Sequence, residues 1–354
     1  MNNSRPVLPP PAVLRTPGFA HYSVSWSPFH TTRLALASAA NYGLVGNGRL
    51  HLVSFVPGPA GQPVLQLDKQ FDTQDGLYDV AWSETHEHHL VTASGDGSIR
   101  LWDATLNNLP IRAWQEHTRE VFSVDWSNIQ KDTFVTSSWD GNVKVWRPEA
   151  PRSILTLNAH HACVYQALFS PHQPNTIATC STDGTVKIFD LRTPPVYASS
   201  GSNTFTKPLH LAALTVPASP TEVLSIDWNK YHQFVLASAG VEKIVKVWDC
   251  RMVKSPGAGA VGPVGGVCEI QLPGHEYAVR KVQWSPHHPD VLATASYDMT
   301  CRVWNTTALS RGQIPLLNIH DSHTEFVVGC AWSLYEEGLL ATCSWDSRLH
   351  VFKT

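Results

Sequence analysis

The sequence predicts an all-β fold, a seven-bladed β-propeller in which each blade is a four-stranded sheet. Three observations predict it. A strand pattern that ends in an aromatic residue recurs along the chain, a second strand pattern follows each copy, and turn residues separate the strands. Where no insertion intervenes, neighbouring copies lie about 43–44 residues apart, which fits the ~40–45-residue repeat of a propeller blade.

The clearest repeat covers residues 117–146. Residues 121–126 and 134–138 indicate two strands because they are rich in β-branched and aromatic side chains. An Asp-Gly pair then predicts a tight hairpin turn before a third strand, residues 143–146. The anchors of the first-strand pattern are Trp26, Trp82, Trp126, Phe169, Trp228, Trp284 and Trp332. The anchors of the third-strand pattern are Val53, Trp102, Trp146, Phe189, Trp248, Trp304 and Phe352.

A network of polar side chains is expected inside this repeat. His117, Ser138, Asp140 and Trp146 supply an imidazole, a hydroxyl, a carboxylate and an indole N–H, which can form a hydrogen-bond chain. A hydrolase triad uses similar groups, but this set recurs along the chain, which indicates a structural role. The second complete set is His275, Ser296, Asp298 and Trp304. Repeats four and seven lack the indole donor, and repeats one and five, with Asn47 and Glu242 at the turn, are expected to depend more on packing.

Composition excludes several classes of protein. The net charge is −3 and the pI about 6.6, so no basic field indicates nucleic-acid binding. The apolar runs have strand length, which predicts no membrane span, and the N-terminus does not resemble a secretory signal. The seven cysteines form no C-x-x-C motif, so no zinc site or disulfide framework is expected. Residues 86–89 (His-Glu-His-His) do not match a metalloprotease motif. We therefore expect a cytosolic protein without enzyme activity, cofactor or metal.

One domain is predicted. Residues 1–12 are expected to form a disordered tail, and residues 13–354 a single ring. The last repeat stops at Phe352 without an outer strand. Residues 13–15 are expected to supply that strand, because an unpaired sheet edge is a liability. Insertions at residues 191–221 and 251–274 are rich in Pro, Gly and Ser, and each should contain an outer strand and a surface loop.

A binding face is predicted from the positions just before each first strand and just before each turn acid. Acids mixed with aromatics suit a short, cationic, amphipathic peptide. Asp75, Glu120 and Glu222 are expected to receive its basic residue, and Phe122 and Tyr165 its apolar side. The alternative is that several of the aromatics only plug the central channel. The predicted face comprises Asp75, Tyr78, Glu120, Phe122, Trp139, Tyr165, Thr182, Glu222, Arg280, Tyr297, Glu325, Phe326 and Trp345.

The turn acids, the preceding histidines and the W-D pairs resemble the WD-repeat family. Longer stretches are similar to the peroxin-7 family of receptors for the type-2 peroxisomal targeting signal, over most of residues 14–352. These stretches are LRTPGFAHYSVSWSPF, NYGLVGNGRL, EHTREVFSVDWSN, SSWDGNVKVW, SPHHPDVLATASYDMTCRVWN and HTEFVVGCAWSL. The resemblance implies a cytosolic carrier that cycles to the peroxisome. It would bind the N-terminal helical signal of matrix proteins such as thiolase, with a co-receptor of the peroxin-20 kind, and reach a peroxisomal docking complex.

The alternative function is a WD-repeat scaffold subunit of a multiprotein assembly, for example a chromatin complex. Such a subunit would be expected to carry a docking helix before the first strand and an acidic loop late in the chain. The N-terminal segment is instead rich in proline, and the 251–274 insertion has Glu269 as its one acid.

Overall fold

A computed structural model describes residues 10–58, 62–107, 109–196, 210–254 and 262–354. The described chain forms 28 strands and two short 3-10 helices, at Asn41–Gly43 and Leu309–Arg311. The strands in the first half are β1 (Ala12–Arg15), β2 (Phe19–Trp26), β3 (Arg33–Ala40), β4 (Gly48–Pro57), β5 (Pro63–Thr73), β6 (Leu77–Trp82), β7 (His89–Ser94), β8 (Ser98–Asp103), β9 (Arg112–Gln115), β10 (Val121–Trp126), β11 (Phe134–Ser138), β12 (Asn142–Trp146), β13 (Leu155–Asn158) and β14 (Val164–Phe169). The strands in the second half are β15 (Thr176–Ser181), β16 (Thr185–Asp190), β17 (Leu214–Pro217), β18 (Val223–Trp228), β19 (Val235–Gly240), β20 (Val245–Lys254), β21 (Val264–Leu272), β22 (Val279–Trp284), β23 (Val291–Ser296), β24 (Cys301–Asn305), β25 (Leu316–His320), β26 (Val327–Trp332), β27 (Leu339–Ser344) and β28 (Arg348–Lys353).

The strands form the antiparallel sheets of an all-β propeller. Four-stranded sheets have the orders β2-β3-β4-β5, β6-β7-β8-β9, β10-β11-β12-β13, β22-β23-β24-β25 and β1-β28-β27-β26. An eight-stranded sheet has the order β14-β15-β16-β17-β21-β20-β19-β18. Its two halves meet through one parallel bridge, between Thr215 and Val264. The strand β1 pairs antiparallel with β28, from Ala12 opposite Val351 to Arg15 opposite Arg348.

The first strands of successive sheets contact one another in cyclic order, and β2 contacts β26. Half-buried acids link neighbours in this series. Oδ2 of Asp79 accepts a hydrogen bond from the backbone N–H of Val124 (2.9 Å), and Oδ2 of Asp125 accepts one from Phe169 (2.8 Å). At the junction of β2 and β26, the indole N–H of Trp26 donates to the carbonyl of Ala331 (3.0 Å).

The aromatic anchors of the repeats form the hydrophobic core between sheets. Trp126 and Trp146 belong to one buried cluster with Phe134 and with Val91 and Leu101 of the preceding sheet. Truncating a buried aromatic side chain of this kind typically costs about 3–5 kcal/mol. The repeat of large aromatics at the same strand positions is therefore explained by the need to fill each gap between sheets.

Both insertions contribute a strand, and the two strands lie side by side in the middle of the eight-stranded sheet. β17 lies in the first and pairs with β16, and β21 lies in the second and pairs with β20. Residues 197–209 and 255–261 of the insertions lie outside the described residues, as do residues 1–9 of the predicted tail. Strand β1 begins at Ala12, one residue before the segment that the sequence predicted.

Candidate functional site

Each first strand carries a β-bulge at the same position. The pairing of β10 with β11 shifts register between Val121 and Ser123, so Phe122 is the extra residue. A bulge re-aims the side chain of its extra residue. The equivalent bulged residues are Tyr22, Tyr78, Phe122, Tyr165, Leu224, Arg280 and Val328. All of these except Leu224 line one cavity at the mouth of the channel. The bulges therefore build the floor of the predicted binding face.

One half of this face is a continuous row of stacked rings. The Phe122 ring lies between Tyr78 (centroids 4.6 Å apart, interplanar angle 13°) and Trp139 (4.5 Å, 5°). Tyr165 meets Phe122 edge-on at 5.3 Å. The guanidinium of Arg280 lies 5.4 Å from the Tyr165 ring and 5.9 Å from the Phe122 ring. Both faces of Phe122 are covered, so it offers its edge to a ligand.

The other half of the face is a second row of aromatic rings. Trp345 contacts Phe326 at 5.3 Å, and Phe326 contacts Tyr297 at 4.9 Å. Tyr22 joins the two rows, because its ring lies 5.6 Å from Trp345 and 5.0 Å from Tyr78. The sequence analysis did not include Tyr22 or Tyr42, which also contacts Trp345 at 5.7 Å. Aligning the repeats could have found Tyr22, which precedes its anchor by the same interval as Tyr78 and Phe122.

Tyr78 is the buried member of the first row, as the alternative in which an aromatic plugs the channel would have it. Its side chain is 9% exposed, and its hydroxyl donates to the carbonyl of Gly43 at 3.1 Å. Burial, together with the charges of Asp75 and Glu120, raises the pKa of Tyr78 to about 12. Tyr78 therefore supports Phe122 from below, and the two acids lie near its hydroxyl.

The predicted acids occupy two separate parts of the face. Asp75 is half-buried, and its Oδ1 accepts the backbone N–H of Gly76 at 2.7 Å. Glu120 is half-buried and lies 3.4 Å from the Arg119 guanidinium. Glu222 is exposed near Tyr165, whose pKa is raised to about 12 by burial first and then by neighbouring charges that include Glu222. The charges of Asp75 and Glu120 thus both act on Tyr78, whereas the charge of Glu222 acts on Tyr165.

The remaining predicted residues line the rim. Backbone hydrogen bonds place the turn residues: Trp139 N–H donates to the carbonyl of Glu120, and Trp345 N–H to that of Phe326, both at 3.0 Å. Glu325 and Thr182 are half-buried, and the carbonyl of Glu325 accepts the Ser344 hydroxyl at 3.0 Å. The indole N–H groups of Trp139 and Trp345 find no acceptor within the described residues. Both nitrogens are buried, so neither donor is open to solvent in this structure.

The structural tetrad differs from its prediction in one member. His117 Nδ1 lies 2.9 Å from Asp140 Oδ2, but its Nε2 lies 3.0 Å from the hydroxyl of Thr136. The indole N–H of Trp146 donates to the same hydroxyl at 2.9 Å. Ser138 instead donates to the carbonyl of Arg119 at 3.2 Å. The prediction of Ser138 as the bridging hydroxyl was wrong because the serine lies at the strand end, one pleat farther from Trp146 than Thr136.

The second predicted tetrad has the same arrangement. His275 lies 2.7 Å from both Asp298 and the Thr294 hydroxyl, and Trp304 donates to Thr294 at 2.9 Å. Ser296 donates to the carbonyl of Ala278 at 3.0 Å, so it does not bridge either. These networks lie inside the sheets. They have the geometry of a structural network rather than of an open catalytic site.

Burial acts to raise the pKa of the tetrad acid Asp140, but the hydrogen bond and charge of His117 outweigh it and lower the pKa to about 2. Asp140 is therefore ionised at neutral pH.

Within the described residues, no helix has the length and apolar character needed to cross a lipid bilayer.

Comparison with known proteins identifies the family. The model of the WD domain, G-beta repeat, matches residues 61–103, 108–147, 151–190, 212–249 and 266–305. The chain is 37% identical to the peroxisomal targeting signal 2 receptor of Saccharomyces cerevisiae, over 95% of this chain and 97% of that protein. It is 38% identical to the receptor of the same name from Mus musculus (96% and 95%) and 41% identical to peroxisome biogenesis protein 7 of Arabidopsis thaliana (95% and 95%). The chain therefore belongs to the WD-repeat family of peroxisomal targeting signal 2 receptors, the peroxin-7 family.

Proposed function

We propose that this protein is a peroxisomal import receptor that binds the N-terminal, helical type-2 signal of matrix proteins, thiolase among them. It then acts with a co-receptor of the peroxin-20 kind and a peroxisomal docking complex, and cycles between cytosol and peroxisome. The observation that carries the proposal is the mixed face: two connected aromatic rows with Asp75 and Glu120 at one place and Glu222 at another. The names of the relatives support the same function.

The charges of the face orient the proposed helix. Its basic residue lies beside Asp75 and Glu120, where carboxylates accept charge-assisted hydrogen bonds. The cation of Arg280, which lies 5.4 Å from the Tyr165 ring and 5.9 Å from the Phe122 ring, repels a basic residue from the centre of the face. The apolar side of the helix packs on the edges of the aromatic rings, as in helix-in-groove recognition.

This arrangement gives a physical reason why a co-receptor is needed. The face is shallow, so a single helix that lies on it keeps its far side in water. A second protein that covers that side buries more apolar surface and raises affinity.

We also propose that residues 13–354 form one closed ring of seven blades, with the insertions on its surface. Each half of the eight-stranded sheet is then one blade, because one parallel bridge joins the halves. The contact of β2 with β26 and the pairing of β1 with β28 support closure of the ring through the N-terminal strand.

Fluorescence anisotropy with a labelled type-2 signal peptide tests the function. The full chain is titrated with the peptide alone, with the co-receptor added, and with a peptide of the same composition in scrambled order. We expect the co-receptor to strengthen binding of the signal peptide and not of the scrambled peptide. Equal binding of the two peptides under both conditions contradicts the proposal and favours a general scaffold.

A further inference from the structure

A second cluster of chemically active side chains lies on the opposite face. We call the aromatic face that carries Phe122 and Trp345 the cargo face. It lies at the start of each first strand, whereas the loops from β2 to β3 and from β6 to β7 leave the ends of those strands. His30 lies in the first of these loops and Glu87 and His88 in the second. The fold therefore joins residues from two neighbouring sheets.

The donor atoms of this cluster converge. Nε2 of His30 lies 3.3 Å from Oε2 of Glu87, and Nε2 of His88 lies 3.7 Å from Oε1 of the same carboxylate. One donor atom from each residue lies within 4.8 Å of the others. We propose that His30, Glu87 and His88 form a site for a divalent transition metal, above all Zn²⁺. The fourth coordination position is then open to water or to a ligand from a partner protein.

The geometry is close to that of a bound metal. Zinc holds imidazole nitrogens and carboxylate oxygens at ~2.0–2.2 Å, which places tetrahedral ligands roughly 3.3 Å apart. The His30 and His88 rings are nearly parallel, at 16°, with centroids 6.1 Å apart. The separations of 3.3 and 3.7 Å between the imidazole nitrogens and the Glu87 carboxylate are close to the spacing of tetrahedral zinc ligands.

An unsatisfied nitrogen independently points to a ligand. Within the described residues, Nε2 of His30 is buried and has no hydrogen-bond partner, because its approach to Glu87 has the distance but not the angle of a hydrogen bond. A neutral imidazole with a free lone pair is the form that binds metal.

The other histidine cluster of the described residues is less suited to a metal. His320, His323 and His350 also bring their nitrogens within 4.8 Å. Both nitrogens of His323 are already bonded, to Asp346 at 3.0 Å and to Thr342 at 2.9 Å. The His323 ring is stacked on His350 at 3.9 Å and 14°, so the lone pairs of the two rings cannot meet at one ion.

Zinc binding to the tag-free full chain, stripped with EDTA, tests the site. Isothermal titration with Zn²⁺ alone measures stoichiometry and affinity, and Co²⁺ replacement reports tetrahedral coordination through its visible absorption. We expect one equivalent of Zn²⁺ and a higher Tm in its presence. His30→Asn and His88→Asn should each weaken binding by at least about tenfold. His86→Asn is the matched control, since His86 lies in the same loop outside the cluster, and it should bind as the wild type does.

Two outcomes overturn the site. One is a wild-type chain that takes up no stoichiometric Zn²⁺. The other is unchanged affinity in a His30→Asn, His88→Asn double variant. The signal-peptide titration is run on the same samples, and because the metal cluster lies on the opposite face, Zn²⁺ and these variants should leave peptide affinity unchanged.

Discussion

Nε2 of His320 lies 2.9 Å from Nδ1 of His350, so two imidazoles from β25 and β28 share one hydrogen bond. One ring donates its N–H and the other accepts, which requires that the accepting ring be neutral. Burial, followed by the charges of neighbouring histidines, lowers the pKa of His350 to about 3 and that of His320 to about 4. The charged or titratable groups that surround the pair are His323, Asp321, Asp346 and Arg348.

This pair predicts that stability falls in mild acid. A histidine whose pKa is lowered in the folded state binds fewer protons there than in the unfolded chain. Stability is therefore lost as the pH falls below about 6.5, the pKa of a histidine in the unfolded chain. The loss continues to about pH 4 for His320 and the buried His21, and to about pH 3 for His350. The free energy of unfolding, measured by urea titration from pH 7.5 to 4.5, should therefore decrease before the tetrad acids titrate.

The variant His350→Asn tests the source of this slope. Asparagine places an amide near the position of Nδ1 but does not titrate. We expect lower stability at pH 7.5 and a shallower decrease toward pH 4.5. The exposed His161→Asn is the control and should follow the wild type. Parallel curves for His350→Asn and the wild type would exclude this pair as a source of the pH dependence.

The bridging hydroxyl of the tetrad predicts a difference between two threonine variants. Thr136→Val leaves both the Trp146 indole and Nε2 of His117 without a partner, whereas Thr92→Val removes only the hydrogen bond to Trp102 (2.9 Å). An unsatisfied buried group costs about 1–3 kcal/mol. Thr136→Val should therefore lower the free energy of unfolding about twice as much as Thr92→Val. Equal losses of unfolding free energy, measured in urea, would show that the hydrogen bond between Thr136 and His117 adds no stability.

Deleting residues 1–16 is predicted to destabilise the whole chain. The deletion removes β1, the hydrogen bond of Thr16 N–H to Ser347 (3.0 Å) and the hydroxyl of Thr16 at 2.5 Å from His21. It also exposes an edge of β28. Deleting residues 1–8 leaves β1 and its pairing in place and should have little effect. If both truncated chains melt at the wild-type temperature, the N-terminal strand does not close the ring.

Reversing one charge on the cargo face is predicted to abolish cargo binding without unfolding. Glu120→Lys places a cation beside Tyr78 and repels the basic residue of the signal, so anisotropy should detect no binding while Tm stays near the wild type. A signal peptide with its basic residue changed to Glu should restore part of the affinity. Asp132→Lys makes the same charge change between β10 and β11, at the opposite face, and should bind normally.

This prediction has a clear contrary result. If Lys at Asp75, Glu120 and Glu222, each tested separately, leaves the affinity for the signal peptide unchanged, then the peptide binds elsewhere. The fold and the tetrads do not depend on that result.

The features that could be predicted from the sequence are those that recur at a fixed position within each repeat. The anchors, such as Trp126 and Trp146, and the paired His117 and Asp140 recur with constant spacing, so their shared role is visible without coordinates. The strands inside the two insertions, β17 and β21, could be predicted because each repeat needs a strand to cover the edge of its third strand.

Other features depend on backbone geometry or on contacts between repeats. Thr136 could not be chosen over Ser138, because both lie on the same side of β11 and only their distance from Trp146 separates them. The bulge that re-aims Tyr22 depends on pairing register, which the composition of the strand does not determine. His30 and Glu87 meet because the first two sheets are neighbours, so the His-Glu-His-His stretch alone indicated no site.

The pairing of β1 with β28 joins the strand that leaves the ribosome early to the last strand of the described chain. At about 5–20 residues per second, translation takes on the order of half a minute between them. Throughout that interval β1 has no partner, and its sheet cannot form. A product that stops before Arg348 lacks β28, so its β1 never gains a partner. Synthesis of Arg348–Lys353 is thus a condition for the pairing of β1.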